Sequence, residues 1–203
     1  MARKSSSWRE RQERDPYVIQ ARRDGWRSRA VFKLEQILQK ENLLRPGMTG
    51  IDLGAAPGSW SQYVSEKLRG RCRIVAVDLL PLDSLPSVEY IQGDFTEDAT
   101  LQAILDTIGG GVDLVMSDMA PNISGNKVVD QPRSMYLAEL ALELARRTLQ
   151  RDGSFICKLF QGQGSEAYIR DARKSFGKVK MVKPKASRAG SSEMYLVARN
   201  YQL

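Results

Sequence analysis

The chain has 203 residues, enough for one domain with a substantial core, and its 42% hydrophobic and 27% charged content is that of an ordinary soluble globular protein. No window approaches the roughly 18 consecutive apolar residues of a membrane span. The basic N-terminus, MARKSSSWRERQERDPY, has no apolar stretch behind it, so neither a membrane partner nor a secretory signal is expected. With no histidine and only two cysteines, no metal site is expected, and acid–base chemistry falls to Lys, Asp, Glu or Tyr.

Residues 1–15 are polar and basic and are expected to form a disordered tail, with one domain over residues 16–203. Between Tyr17 and about Asn42 two helices are expected, broken near Gly25. In the second, Val31, Leu34, Ile37 and Leu38 recur at helical spacing, with Ser28 placed as its N-cap. After the turn RPGMT come a strand in GIDLGAA, a helix over 59–68 and a strand in CRIVAVD. VEYIQGD, a helix over about 98–108 and VDLVMSD follow. A long helix over about 131–150 leads into GSFICKLF; a helix over 164–176 precedes two last strands, KVKMVKP and EMYLVARN. Short apolar strands alternating with helices predict an α/β fold: a mostly parallel seven-stranded sheet with helices on both faces. Cys72 and Cys157 each sit in such a strand and read as small core residues of a reducing, cytoplasmic protein.

Charge is unevenly placed. Residues 1–33 hold ten Lys/Arg against four Asp/Glu, residues 34–169 twelve against eighteen, and residues 170–203 nine against two. Basic ends of this kind attract a polyanion, and nucleic acid is the usual one. Arg22, Arg23, Arg27 and Arg29 early in the chain, with Lys183, Lys185 and Arg188 late, are the candidate phosphate contacts. Tyr17 and Trp26 could stack on bases, although burial is the simpler role for both.

In a doubly wound sheet, ligands bind beyond the carboxyl ends of the strands. Here Asp52 lies within the first strand, and Asp78, Asp94 and Asp118 follow the next three; Lys158 lies near the end of the fifth. Several carboxylates on one rim suit a site better than separate caps. The loop GAAPG lacks two of the three glycines of a dinucleotide fingerprint. Pro57 lacks an N–H, and the carboxylates would repel pyrophosphate. The better ligand is S-adenosylmethionine, which joins a sulfonium cation to a ribose and carries no phosphate. Asp78, 24 residues beyond Gly54, is placed to accept from the ribose hydroxyls. Lys158 in the apolar run FICKLF is costly without a role or a partner.

The ordered set SRAVFKL, DLGAAPGSWSQY, DLLP, QGDF, SDMAPN, DQPRSMYLAELAL, KLFQG and SSEMYLVA resembles the FtsJ/RrmJ family of ribosomal RNA 2′-O-methyltransferases, from about residue 16 to residue 200. The resemblance is to the bacterial members that methylate a uridine ribose of 23S rRNA. It implies a Rossmann-like methyltransferase fold and S-adenosylmethionine as donor. It implies donor contacts at Gly58, Trp60, Asp78, Asp94 and Asp118, and a catalytic set of Lys33, Asp118, Lys158 and Glu193, with Lys158 as proton acceptor. It further implies 23S rRNA in the 50S subunit as partner, for a chain that short connections suggest is a monomer. One departure is Ser59, where relatives carry a second glycine. Burial and Lys33 would favour a neutral Lys158, whereas Asp118 and Glu193 would favour its ammonium, and the sequence leaves that balance open. A tRNA 2′-O-methyltransferase and a noncatalytic ribosome-assembly factor remain as alternatives.

Overall fold

The computed structural model describes residues 13–122, 124–188 and 190–202, so most of the basic tail expected over residues 1–15 lies outside the described residues. Helix α1 (Pro16–Arg23) begins where Asp15 accepts a hydrogen bond from the Tyr17 amide at 3.0 Å and Pro16 occupies the first turn. Helix α2 (Val31–Leu38) is shorter than its periodicity predicts, and Ser28 is not its N-cap. The Ser28 hydroxyl accepts from the Ala30 amide at 3.2 Å and lies 2.7 Å from the Ser59 hydroxyl, so it is committed to a tertiary contact.

The strands are β1 (Met48–Leu53), β2 (Cys72–Asp78), β3 (Val88–Gln92), β4 (Val112–Ser117), β5 (Leu149–Phe160), β6 (Phe176–Val182) and β7 (Glu193–Tyr201). They form one sheet in the order β3-β2-β1-β4-β5-β7-β6, and β7 runs opposite to the other six. The remaining helices are α3 (Ser59–Lys67), α4 (Asp98–Ile108), α5 (Lys127–Thr148) and α6 (Ser165–Ala172). The chain runs outward from β1 to β3, then returns to lay β4 on the other side of β1. The crevice beyond β1 and β4 is therefore the topological switch point where such sheets hold ligands.

Two boundaries differ from expectation for physical reasons. Helix α5 starts about four residues early because the Asn126 side chain accepts from the Val128 amide at 3.0 Å, and it ends before Leu149, which pairs with Val112 in the sheet. Helix α6 stops at Ala172 instead of 176. Phe176 pairs with Tyr201 in β6 and packs its ring on Phe155 and Tyr201, and that packing prevails over helical periodicity.

Strand side chains alternate between two apolar clusters. Ile51, Leu53, Val115, Phe155, Cys157 and Leu196 enter one, together with residues of α4, α5 and α6. Met48, Leu114, Met116, Ile156, Tyr195 and Val197 enter the other, with residues of α1, α2 and α3. This parity decides which strand residues can meet which helices. Burial pushes the Cys157 thiol up to about 12, so it behaves as an inert core group.

Candidate active site

Lys158 has the parity of Ile156, so its side chain points to the face where α2 lies. It pairs in register with Tyr195 of β7, while Phe160 pairs with Glu193. On the other flank Cys157 pairs with Ser117, which sets Asp118, the next residue, beside Lys158. Lys33 reaches the same point from α2. All four residues of the expected catalytic set thus converge, although they are drawn from three strands and a helix.

Their contacts are continuous. Lys158 Nζ lies 3.2 Å from Asp118 Oδ1 and donates to the Asp118 carbonyl at 2.5 Å. Lys33 Nζ lies 3.0 Å from Glu193 Oε1 and 3.7 Å from Asp118 Oδ1. Two further residues complete the network. The Tyr195 hydroxyl donates to Asp118 Oδ1 at 2.5 Å, and the Ser187 hydroxyl donates to Glu193 Oε1 at 2.8 Å. Tyr195 carried a usable signal, since it lies two residues after Glu193 in a strand and so shares its face; Ser187 carried none.

Burial pushes the Asp118 carboxyl up, but Lys158, Lys33 and the Tyr195 hydroxyl outweigh it and hold the group below its ordinary value. Burial, then the Asp118 and Glu193 charges, raise the Tyr195 phenol well above its usual range, so it stays a donor. Only 9% of Lys158 is exposed, and its partner Asp118 is the member of the network that lines the adjoining cleft.

That cleft, of about 540 Å³, lies at the switch point and is lined by Asp78, Asp94 and Asp118, with Gly54, Met119 and Asn122 among the rest. Among the described residues its lining includes no lysine or arginine. The turn that opens it needs glycine. Gly54 has φ +71°, and a Cβ there would lie 2.4 Å from Met119 Cγ. Asp78 holds this loop to the end of β2 by accepting from the Ala56 amide at 2.9 Å and from the Leu80 amide at 2.8 Å. Asp94 accepts from the amide and hydroxyl of Thr96. Each carboxylate keeps acceptor capacity for a ligand hydroxyl.

Gly58 and Trp60 are outside this lining. Gly58, at φ +100°, precedes the first turn of α3. The Trp60 indole is buried and donates to the Ala30 carbonyl at 2.9 Å, so what Trp60 can offer a ligand is its first-turn amide. Ser59, the departure from glycine, has an ordinary negative φ and its hydroxyl meets Ser28.

Asp52 does not join the rim. Its parity is that of Met48, and its carboxylate lies beneath α3, accepting from the Ser61 amide at 3.1 Å and the Ser61 hydroxyl at 2.7 Å. It acts as an acceptor for the helix N-terminus at only 1% exposure. Desolvation, opposed by the Ser61 hydroxyl and reinforced by Asp118 and Asp78, pushes it up to about 7.

The expected phosphate contacts divide. Arg22, Arg23, Lys183, Lys185 and Arg188 are exposed. Arg27 instead donates to the carbonyls of Pro57, Asp83 and Ser84 at 3.0, 2.8 and 3.0 Å, tying the N-terminal segment to the cleft loops. Arg29 is spent on Asp15 and the Ala186 carbonyl. Tyr17 and Trp26 pack on the second cluster, against Phe32 and Tyr63.

A mostly parallel seven-stranded sheet, an acidic cleft at its switch point and a buried lysine–carboxylate network together fit a class of α/β transferases rather than dinucleotide-binding oxidoreductases. The sequence matches the FtsJ-like methyltransferases over residues 26–201. It is 53% identical to the ribosomal RNA large subunit methyltransferase E of a Pseudomonas fluorescens strain, over all of this chain and 98% of that protein. It is 54% identical to the protein of the same name from a Pseudomonas aeruginosa strain, over all of this chain and 99% of that one. A crystal structure assigned as a ribosomal RNA methyltransferase from Plasmodium falciparum superimposes with a TM-score of 0.75 at 29% identity, covering 87% of this chain and 98% of that one. The chain belongs to the FtsJ-like methyltransferase family.

Proposed function

We propose that this protein transfers a methyl group from S-adenosylmethionine to a uridine ribose 2′-hydroxyl of 23S rRNA, acting on the 50S subunit during its maturation. The carrying observation is the convergence of Lys33, Asp118, Lys158 and Glu193 on one connected network at the edge of a cleft whose charged lining, among the described residues, is carboxylate. The full-length relatives named for the large ribosomal subunit support that substrate.

The cleft suits the donor. Asp78 and Asp94 can accept from ribose hydroxyls, and a lining without cations suits a sulfonium and repels phosphate. The amides at the start of α3, after Gly58, suit the donor's carboxylate. When bound, S-adenosylmethionine supplies a methyl carbon activated by positive sulfur, which departs as a neutral thioether. Lys158, in its neutral form, takes the 2′-hydroxyl proton as the new O–C bond forms. Asp118 aims it through both its carboxylate and its carbonyl. Lys33, held by Glu193, faces the charge that develops on the oxygen. With Lys158 neutral, the two lysines and two carboxylates sum to one negative charge opposite the sulfonium. Proton uptake cancels that charge as the donor loses its own, so no net charge is created in the site.

Exposed Arg22, Arg23, Lys183, Lys185 and Arg188 would hold RNA phosphates around this opening. The same reading takes residues 16–203 as one methyltransferase domain with helices on both faces, supported by the two clusters that the strands divide. A ribosomal substrate places a monomeric enzyme of this kind in the cytoplasm.

The test is transfer of labelled methyl to 50S subunits, 30S subunits, naked rRNA and tRNA from a strain lacking the enzyme, with the modified nucleoside identified after digestion. Label in one 2′-O-methyluridine of 50S subunits is expected. Label in tRNA would replace the substrate, and no label despite donor binding would favour an assembly factor.

A further inference from the structure

At the opposite end of β7 from Glu193 lies a second groove, of about 680 Å³, to which Lys40, Arg173, Lys178, Lys180 and Arg199 all contribute. Its one carboxylate among the described residues is Glu41, only 3% exposed, which is paired to Lys180 and, at 3.0 Å, to Arg199. Lys40, Arg173 and Lys178 are exposed and have no carboxylate partner among the described residues.

Each cation taken singly has a local reason to be there. Lysines on an open strand edge discourage edge pairing, and β6 is an edge that pairs with β7 alone. Basic residues suit helix C-termini, where Lys40 follows α2 and Arg173 follows α6. Those reasons do not account for the convergence. α2 and α6 contribute to different apolar clusters, yet their ends meet across the sheet edge on one groove. Glu41 fixes Lys180 and Arg199 from beneath and leaves a concentrated positive excess facing solvent.

The groove and the candidate active site are joined by the β6–β7 ladder. Lys178 pairs in register with Arg199, Lys180 with Val197 and Val182 with Tyr195, whose hydroxyl touches Asp118. Two residues of strand, about 7 Å, separate the near edge of the groove at Lys180 and Val197 from Tyr195. Beyond Val182, Lys183 and Lys185 lead to Ser187, which bonds Glu193.

We propose that this groove is a second RNA contact surface, which holds the phosphodiester backbone of the substrate strand after it leaves the catalytic opening along the β6 edge. The proposal rests on the ribosomal RNA reading above. Contacts of this kind add affinity and salt dependence without reading sequence.

The test is the full chain carrying Lys40→Gln, Arg173→Gln and Lys178→Gln, beside a control with Lys67→Gln, Arg69→Gln and Arg151→Gln that removes equal charge elsewhere. Affinity for a large-subunit RNA fragment is measured across a salt series, together with melting temperature and methyl transfer at saturating RNA. We expect the groove variant to bind about tenfold more weakly. Its log–log salt slope should be shallower by about two, with melting temperature and saturated turnover unchanged. If it melts early, Lys40→Gln with Arg173→Gln repeats the measurement outside the strand. Unchanged affinity and slope overturn the proposal, as does equal weakening in the control. Failure of the unaltered protein to bind or methylate RNA at all would instead overturn the ribosomal RNA reading.

Discussion

Lys158 illustrates how a costly residue is made tolerable and then useful. A lysine in an apolar strand needs polar partners, and Asp118 supplies two acceptors from one residue. Replacing Lys158 by Ala is expected to abolish methyl transfer while donor affinity, measured by calorimetry, changes less than about threefold. The reasons are that the lysine is not part of the cleft lining and that a positioned base contributes on the order of 10²–10⁴ in rate. An active variant would remove Lys158 from the base role. The tetrad residues were legible because the family resemblance named them, and Lys158 was conspicuous even without it. Tyr195 shares a strand face with Glu193, which marks it as a neighbour of the site, but nothing in EMYLVARN tells that its hydroxyl reaches Asp118.

At the scale of elements, the connection between β1 and α3 depends on Asp52. The carboxylate satisfies the helix amide of Ser61, yet it is buried beside other acids and its value is pushed up to about 7. The folded state therefore keeps a proton that the unfolded chain releases near pH 4, so this group's contribution to stability falls as pH rises from about 4 to 7. Asp52→Asn keeps an acceptor for Ser61 and removes that dependence. Urea unfolding is expected to show near-equal stabilities at pH 4.5, with the variant ahead by one or more kcal/mol at pH 8, since a tenfold change in a protonation equilibrium corresponds to about 1.4 kcal/mol. A variant that loses stability equally at both values would mean that the carboxylate is charged and needed there. Asp118 has the opposite sign. Its lowered value contributes stability above pH 4 that is lost on further acidification. The sequence pattern grouped the two aspartates on one rim. They share a sheet face, but Asp52 lies one step back inside its strand and is covered by α3, whereas Asp118 lies beyond the end of β4 and lines the cleft.

For the whole molecule, the distribution of charge sets how it meets RNA. The middle of the chain is acidic and supplies the carboxylates of the cleft, while the two ends of the sequence are basic. Charge reversal of the exposed Arg22 and Arg23 to Glu is expected to weaken RNA binding about tenfold at physiological salt and to leave donor binding unchanged. Unchanged RNA affinity would confine phosphate contacts to the later lysines. The equivalent change at Arg27 would be ambiguous, because its guanidinium ties the N-terminal segment to three cleft-loop carbonyls.

Periodicity alone determined the alternating α/β order, the seven strands and the position of the glycine turn, since these follow from local backbone preference and the spacing of apolar side chains. Composition alone determined that acid–base work falls to lysine, carboxylate or tyrosine. Tertiary structure decided what local pattern does not encode. The ends of α5 and α6 were set by strand pairing and aromatic packing, and the duty of Arg27 and Arg29 by carbonyls up to 157 residues away. The burial of Asp52, the Tyr195–Asp118 bond and the meeting of Lys40, Arg173 and Arg199 around Glu41 each depend on which strand lies beside which. That order is fixed by burial of both sheet faces at once, a property of the assembled core and of no single segment.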